Sequence, residues 1–166
     1  MAGARIACVD VDYGDDGVTA AAVGFEAWTD AVATVEVVVR SRGAASPYQP
    51  GAFYARELPY LLGVLARMPP LELVIVDAYV ALGPDHPGLG WHLHAARGGI
   101  VVGVAKTRYP GADAVELVRG EGTRPLYVTA IGMEVDAAAA QVAAMHGEFR
   151  VPTLVKLADT LARGRR

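Results

Sequence analysis

The stretch ARIACVDVDYGDDGVTAAAVGFEAWTDAVATVEVVVRS, residues 4–41, decides the fold. Its β-branched and small apolar residues predict three consecutive strands, over residues 4–12, 18–28 and 31–41. The GDDG sequence at 14–17 supplies a tight turn between the first two strands, and Thr29 and Asp30 separate the second from the third. The chain is therefore expected to open with three antiparallel strands.

A helix is predicted after a Ser/Pro/Gly-rich loop at residues 41–51. Its core face is marked by leucines that recur at i, i+3, i+4 and i+7, namely Leu58, Leu61, Leu62 and Leu65. Pro59 interrupts this pattern because it cannot donate a hydrogen bond to the carbonyl of Ala55 and disfavours helical geometry at Leu58. The helix is therefore expected either to start late or to kink.

The remaining chain indicates alternating strands and helices. LELVIVDAY (71–79) is nearly continuously apolar, which is typical of a parallel strand buried on both faces. A Gly/Pro-rich loop at 82–90, a short helix at 89–97 and a strand at 99–106 follow. Next come two strands, near 114–119 and 125–130, and two helices, one over the Ala-rich stretch VDAAAAQVAAMHG and one at about 152–163. This order predicts one α/β domain over residues 1–166, a ribonuclease H-like mixed sheet with helices on both faces.

Composition excludes several classes of protein. The 166 residues are 53% hydrophobic, but Gly or charged residues break every apolar stretch well short of the roughly 20 residues that span a membrane. The N-terminus MAGARIACVDVDY has no room for a signal peptide, so a cytoplasmic location is expected. Because Cys8 is the sole cysteine, the chain forms no internal disulfide and no thiolate zinc cluster. A metal ion would need oxygen or histidine ligands.

Charge is distributed unevenly along the chain. Residues 1–90 contain 5 Lys+Arg and 11 Asp+Glu, net −6, whereas residues 91–166 contain 10 and 7, net +3. An acidic centre beside a basic flank suits a metal site with a phosphate-binding rim, and ordinary scatter of charges is the alternative.

Asp10 and Asp77 are the first candidate metal ligands. Each lies in or at the end of an apolar strand, where an unpaired carboxylate is costly and a divalent cation would relieve that cost. The alternative is that each aspartate caps a turn or pairs with an arginine. Lys106 ends the strand GIVVGVAK, at the sheet edge where α/β proteins bind ligands, and its alternative is a surface lysine. His92 and His94 are two residues apart, so joint metal ligation by one helix face is not expected.

Several short motifs follow one another along the chain. Residues 47–59, PYQPGAFYARELP, resemble the pattern PYxPGxLxFRExP of the endonuclease V family, nucleases that nick next to deaminated purines. The other similar segments, in chain order, are VDVDY at 9–13, LVIVD at 73–77, GLGWH at 88–92, GVAK at 103–106, RPLYV at 124–128, RVP at 150–152 and LAD at 157–159.

The resemblance implies a ribonuclease H-like fold and metal-assisted phosphodiester hydrolysis with Mg²⁺, for which Mn²⁺ would substitute. By the family pattern the acids of the site, and its metal ligands, would be Asp10, Glu57, Asp77 and Asp159. Lys106 would contact the scissile phosphate. Mutual repulsion is expected to raise the pKa of at least one carboxyl group in the metal-free protein.

Substrate contacts are also implied by the family pattern. Tyr48, Pro50 and Gly51 would belong to a wedge that enters the duplex where the lesion base is turned out. Phe53, Leu89 and Gly103 match the pocket for the flipped hypoxanthine. The partner would be DNA or RNA containing a deaminated purine, bound by a monomer that does not associate with membranes.

The chain also departs from the family pattern. The family's HPR motif aligns with Gly83-Pro84-Asp85, so its His and Arg are replaced, and His86 is a candidate substitute three residues on. An aspartate in place of a phosphate-contacting arginine reverses the local charge and is expected to weaken nucleic-acid binding. The sequence begins nine residues before Asp10, which suggests an N-terminally short, divergent member. Two alternative functions therefore remain: binding of nucleic acid or a partner with weak or no cleavage, and hydrolysis of a free nucleotide.

Overall fold

A computed structural model describes residues 3–43 and 53–165. The strands of this part of the chain are β1 (Ile6–Gly14), β2 (Gly17–Phe25), β3 (Val35–Arg42), β4 (Leu73–Val76), β5 (Ala81–Gly83), β6 (His86–Pro87), β7 (Ile100–Ala105), β8 (Val115–Leu117) and β9 (Leu126–Ile131). The helices are α1 (Phe53–Leu65), α2 (Leu89–Arg97), α3 (Val135–Ala144) and α4 (Thr153–Ala162). None of these helices is long and apolar enough to cross a membrane.

Seven strands form one mixed sheet in the order β3-β2-β1-β4-β7-β9-β8. The three leading strands pair antiparallel, and β4 is a central strand parallel to both β1 and β7, as the sequence predicts. The sheet is mixed, as predicted, and its second half is not parallel throughout, because β9 runs antiparallel to β7 and β8 antiparallel to β9. No helix lies between β7 and β9, so the chain returns along the sheet instead of crossing over it.

The segment between β2 and β3 is longer than predicted. The β2 strand ends at Phe25 because Asp30 turns the chain: its Oδ2 accepts hydrogen bonds from the backbone N–H groups of Glu26 and Ala27, each at 3.0 Å. Asp side chains commonly form such local bonds in turns. The third strand consequently starts at Val35 rather than near residue 31.

Helices cover both faces of the sheet, as predicted. On one face α3 and α4 pack against β-strand residues such as Cys8, Phe25 and Ile75. On the other face α1 and α2 pack against Val9, Val74 and Val101. Apolar residues from both faces of the central strand are buried, which explains its continuous apolar run.

Two local predictions need correction. Helix α1 begins at Phe53 and contains Pro59, so of the two alternatives the late start is wrong, and the kink stays a prediction. Pro59 is exposed, on the side of α1 away from the buried Leu61 and Leu65. The loop predicted at 82–90 contains a short hairpin, in which Gly83 pairs with His86.

Candidate active site

Two aspartates lie side by side at one end of the sheet. The parallel register of β1 and β4 places Val9 opposite Val76, so Asp10 and Asp77 follow at neighbouring positions. Adjacent strands lie roughly 4.8 Å apart, which brings the two carboxylates into electrostatic contact. The Asp77 charge is one of the causes that raise the pKa of Asp10.

Lys106 completes an ion pair with Asp77. Its Nζ lies 3.0 Å from Asp77 Oδ2, and the two side chains are 36% and 30% exposed. Lys106 follows β7, the strand next to β4, so neighbouring strand ends supply both residues. The Nη2 of Arg150 donates hydrogen bonds to the carbonyls of Lys106 at 2.6 Å and Pro125 at 2.7 Å, which anchors the lysine backbone.

Asp159 reaches the same sheet end from α4. It is buried, and its carboxylate accepts hydrogen bonds from Arg163 Nε at 2.9 Å and Lys156 Nζ at 3.3 Å. Burial raises the pKa of Asp159, but hydrogen bonds from Asp10, Arg163 and Lys156 outweigh burial and lower it. Asp159 is therefore the charged member of its pair with Asp10.

The pKa of Asp10 moves in the opposite direction. Burial, followed by the charge of Asp77 and the contact with Asp159, raises it to about 7, although a hydrogen bond from Val11 N at 3.0 Å opposes the shift. Below neutral pH the Asp10 carboxyl is consequently protonated and can share its proton with Asp159. The expected rise in a carboxyl pKa is confirmed, with burial as a larger cause than repulsion.

Glu57 approaches the cluster from α1. Burial and the charge of Asp77 raise the pKa of Glu57 to about 7, against the opposing effect of Arg56. The Arg56 guanidinium lies 3.9 Å from the centre of the Tyr13 ring, in the geometry of a cation–π contact. This contact holds the first part of α1 against β1.

The four predicted acids therefore influence one another's pKa values in pairs: Asp10 with Asp77, Asp10 with Asp159, and Glu57 with Asp77. Among residues 3–43 and 53–165, no group of three His, Cys, Asp or Glu side chains is arranged to hold a metal ion. A joint role of Asp10, Glu57, Asp77 and Asp159 in metal binding thus stays a prediction.

A cleft of about 540 Å³ opens beside the Asp77–Lys106 pair. Its walls include Tyr54, Tyr79, Leu89 and Tyr109. Tyr79 is fixed from two sides, since its hydroxyl donates to the Thr107 carbonyl at 2.6 Å and accepts from the backbone N–H of Tyr109 at 3.0 Å. An apolar, aromatic cleft with an ion pair at its edge has the composition of a ligand site.

The structure describes some of the predicted substrate-contact residues and not others. Leu89 is buried and lines the cleft, whereas Phe53 is placed only as the first residue of α1. Gly103 lies in β7 beneath the segment Ala78–Val80, where a side chain would collide with the Ala78 carbonyl oxygen. Tyr48, Pro50 and Gly51 lie outside the described residues.

His92 and His94 lie in different surroundings. His92 stacks on Tyr54 with ring centres 3.5 Å apart and planes inclined by 15°, whereas His94 Nδ1 hydrogen-bonds to the Gly99 carbonyl at 2.7 Å. The two rings thus contact different partners. Burial lowers the pKa of His92, which favours a neutral imidazole in the stack.

Sequence reasoning missed the aromatic walls of the cleft. Tyr54, Tyr79 and Tyr109 come from a helix and two loops, so no periodicity connects them. One signal was available, because Tyr79 and Tyr109 come shortly after Asp77 and Lys106, at the ends of adjacent parallel strands where ligands gather.

Comparison with known proteins identifies the family. The Endonuclease V family model matches residues 2–117. Endonuclease V of Streptomyces avermitilis is 33% identical over 187 residues, covering 96% of this chain and 79% of that protein. The crystal structure of the S. avermitilis endonuclease V has a TM-score of 0.77 at 30% identity, with 98% of this chain and 81% of that chain covered.

A more distant structure has the same fold. Endonuclease V of Ciona intestinalis, solved in complex with a 24mer DNA containing an inosine followed by a ribo-adenosine, has a TM-score of 0.78 at 16% identity. The alignment covers 97% of this chain and 84% of that chain. Given the family match over most of its length and the relative at 33% identity, the chain belongs to the endonuclease V family.

Proposed function

We propose that this protein is a divalent-metal-dependent endonuclease that cleaves a phosphodiester bond near a deaminated purine in nucleic acid. The observation that carries the proposal is the position of three residues on adjacent strands beside an aromatic cleft: Asp10 within β1, Asp77 directly after β4 and Lys106 directly after β7. Family membership supports the reaction class. The Ciona endonuclease V bound to inosine-containing DNA supports the substrate class.

The donor groups suit a hard divalent cation. Mg²⁺ is typically bound by one or two carboxylates, with waters and substrate phosphate oxygens completing its shell, so the neighbouring pair Asp10 and Asp77 is sufficient. Burial and repulsion raise the pKa of Asp10 and Glu57, and a cation would offset both effects by stabilising the charged carboxylates. When bound, the cation would supply Lewis-acid activation of the phosphate and of the attacking water.

The protein's own residues would orient the reacting groups. Lys106, whose backbone is held by Arg150, would place its ammonium against a nonbridging phosphate oxygen and stabilise the negative charge that grows there. Asp159 would remain charged, because Arg163 and Lys156 hydrogen-bond to it, and would position Asp10. Glu57 would complete the acidic side of the site from α1.

The cleft would receive the lesion base. Leu89 supplies an apolar surface there, and we place Phe53 and Gly103 in the same pocket by the family pattern. Tyr48, Pro50 and Gly51 would act as the wedge that fills the gap left by the flipped base. Flanking prolines stiffen such a loop and lower the entropy lost on insertion.

The decisive test is a substrate panel. Purified protein is incubated with single- and double-stranded DNA and RNA, each with one inosine or the matching adenosine, in Mg²⁺, Mn²⁺ or EDTA. We expect metal-dependent nicking of an inosine-containing strand by the wild type and none by Asp77→Asn. Absence of a nick on every substrate would overturn the proposal.

One observation favours the alternative of binding without efficient cleavage. Gly83 and Asp85, where the family pattern has His and Arg, lie in the β5–β6 hairpin at the cleft. His86 pairs with Gly83 in this hairpin and lines the cleft, so it is placed to compensate. Tight binding of inosine-containing strands with background turnover would identify the alternative, and a loss of cleavage in His86→Ala would support compensation.

A further inference from the structure

A row of three aromatic rings leads from the cleft to the surface. Tyr54 lines the cleft that also contains Asp77 and Lys106. His92 stacks on Tyr54 at 3.5 Å with nearly parallel planes, and Trp91 packs edge-on against His92 with ring centres 5.1 Å apart. The row is therefore continuous from the catalytic cleft to its outermost member, Trp91.

The Trp91 side chain is partly exposed and contributes little to the apolar cores of the protein. It is 40% exposed, and it is absent from both apolar cores of the sheet, unlike its neighbour Leu93, which is fully buried. Its backbone is nevertheless fixed, because its N–H bonds to the Val80 carbonyl at 3.2 Å at the start of α2. A large exposed aromatic ring on a fixed backbone is suited to binding rather than to core packing.

We infer that Trp91, supported by His92 and Tyr54, stacks on a nucleobase that flanks the nucleotide held at Asp77 and Lys106. Every base offers a π-face, so this contact would add affinity without reading sequence. The inference rests on the proposed function, since the cleft must bind nucleic acid. It adds a binding residue outside the acidic cluster and outside the pocket for the lesion base.

The two tryptophans of the chain permit a direct optical test. Trp28 lies at the opposite end of the sheet, in a recess with Arg5 and Glu72, so Trp28→Phe leaves Trp91 as the only tryptophan, at the proposed site. Titration of Trp28→Phe with an inosine-containing oligonucleotide in EDTA is expected to quench its fluorescence as bases stack on the indole. The matched variant Trp91→Phe, which reports Trp28 alone, is expected to show no change.

Binding and turnover supply the second readout. Trp91→Ala is expected to raise Kd and KM about tenfold and to leave kcat within about twofold, because stacking contributes to binding and not to the reacting atoms. Trp91→Phe is expected to recover most of the affinity, since it retains an aromatic face. A residue with a merely structural role would lower thermal stability and would not separate KM from kcat.

The outcomes separate this inference from the proposed function. The inference alone would be overturned if Trp91 fluorescence stayed constant while the anisotropy of a labelled oligonucleotide reported binding. It would also be overturned if Trp91→Ala bound the oligonucleotide with the same Kd as the wild type. Quenching of Trp91 without any cleavage would support the inference and count against the nuclease. If the wild type neither binds nor cleaves any strand of the panel, both are wrong.

Discussion

The Lys106 ammonium lies 3.0 Å from Asp77 Oδ2. The lysine proposed to contact phosphate is therefore already paired with a carboxylate proposed to bind metal. Both side chains are about one-third exposed, and solvent screens much of their attraction. The pair therefore offsets the charge of Asp77 before substrate arrives. Lys106 can turn to an incoming phosphate at low cost, because exposed ion pairs contribute little net free energy.

Lys106→Met is expected to separate catalysis from stability. Loss of the ammonium removes charge stabilisation of the reacting phosphate, and we expect the cleavage rate to fall by about 10²-fold or more. The free energy of unfolding should change by less than about 1 kcal/mol, because the ion pair is partly exposed. Single-turnover cleavage and urea unfolding measure the two effects. Wild-type cleavage by Lys106→Met would remove the lysine from the mechanism.

The raised pKa values of Asp10 and Glu57 predict a pH dependence of stability in the absence of metal. Both values are about 7, above the ordinary 3.8 and 4.5. Between about pH 4 and pH 7 the folded state binds more protons than the unfolded chain, so these two groups destabilise the fold progressively as pH rises. Asp159, whose pKa is lowered, titrates below this window.

The substitution Asp10→Asn tests whether ionisation of Asp10 destabilises the fold as pH rises. The amide stays uncharged, so we expect its free energy of unfolding in EDTA to exceed that of the wild type by an amount that grows from pH 5 to pH 8. Urea unfolding at several pH values measures the difference. Asp136→Asn, which alters an exposed carboxylate on α3, serves as the matched control and should show no such trend. Parallel pH profiles for wild type and Asp10→Asn would contradict the prediction.

Divalent ions are expected to stabilise the folded protein. A ligand that binds only the folded state adds RT ln(1 + [L]/Kd), about 1.4 kcal/mol at a concentration tenfold above Kd, which corresponds to a Tm increase of a few degrees. We expect this increase with Mg²⁺ or Mn²⁺ in the wild type and in Asp136→Asn, but not in Asp10→Asn or Asp77→Asn. Equal Tm increases in all four proteins would show that the cations act elsewhere.

Arg119 is expected to be the most sensitive charged residue for stability. It is buried, and its guanidinium donates four hydrogen bonds to the carbonyls of Met145, Gly147, Phe149 and Arg150. Arg119→Met would leave these carbonyls without donors, and we expect a loss of roughly 2–4 kcal/mol in urea unfolding. Arg119→Lys should recover only part of this loss, because an ammonium cannot reproduce the planar fork. Full recovery in Arg119→Lys would indicate that charge alone matters.

The sequence predicted those parts of the fold that local patterns control. The three leading strands, the central strand just before Asp77 and the helix with His92 follow from apolar runs and turn residues. The antiparallel direction of β9 did not follow, because strand direction depends on the connection from β7 and not on the composition of the strand. The hairpin holding Gly83 and His86 was missed because its strands are only three and two residues long.

The candidate site was predictable only as a set of residues. Apolar context and strand position singled out Asp10, Asp77 and Lys106, and the family pattern added Glu57 and Asp159. Which groups pair could not be predicted, because the contact of Asp10 with Asp159 depends on how α4 packs across β1. The clamp from Arg150 to the Lys106 carbonyl joins residues 44 positions apart, which no local pattern indicates.

Gly103 is expected to act through the shape of the backbone around the cleft. A Cβ at this position would meet the Ala78 carbonyl oxygen and would lie 2.5 Å from Thr129 Oγ1, which accepts a 2.9 Å hydrogen bond from Val80 N. Gly103→Ala would therefore push the Ala78–Val80 segment, with Tyr79, away from β7. We expect a loss of about 1–3 kcal/mol in stability and a higher KM for the inosine-containing strand. Gly63→Ala is the matched control, because Gly63 lies in α1 and, apart from its chain neighbours and the backbone of its own helix, no atom lies within 4 Å of its would-be Cβ. There alanine should stabilise the helix by about 0.5–1 kcal/mol. Urea unfolding and steady-state cleavage of both variants decide the matter: unchanged stability and KM in Gly103→Ala would show that the segment above β7 accommodates a methyl group and that its close packing does not shape the cleft.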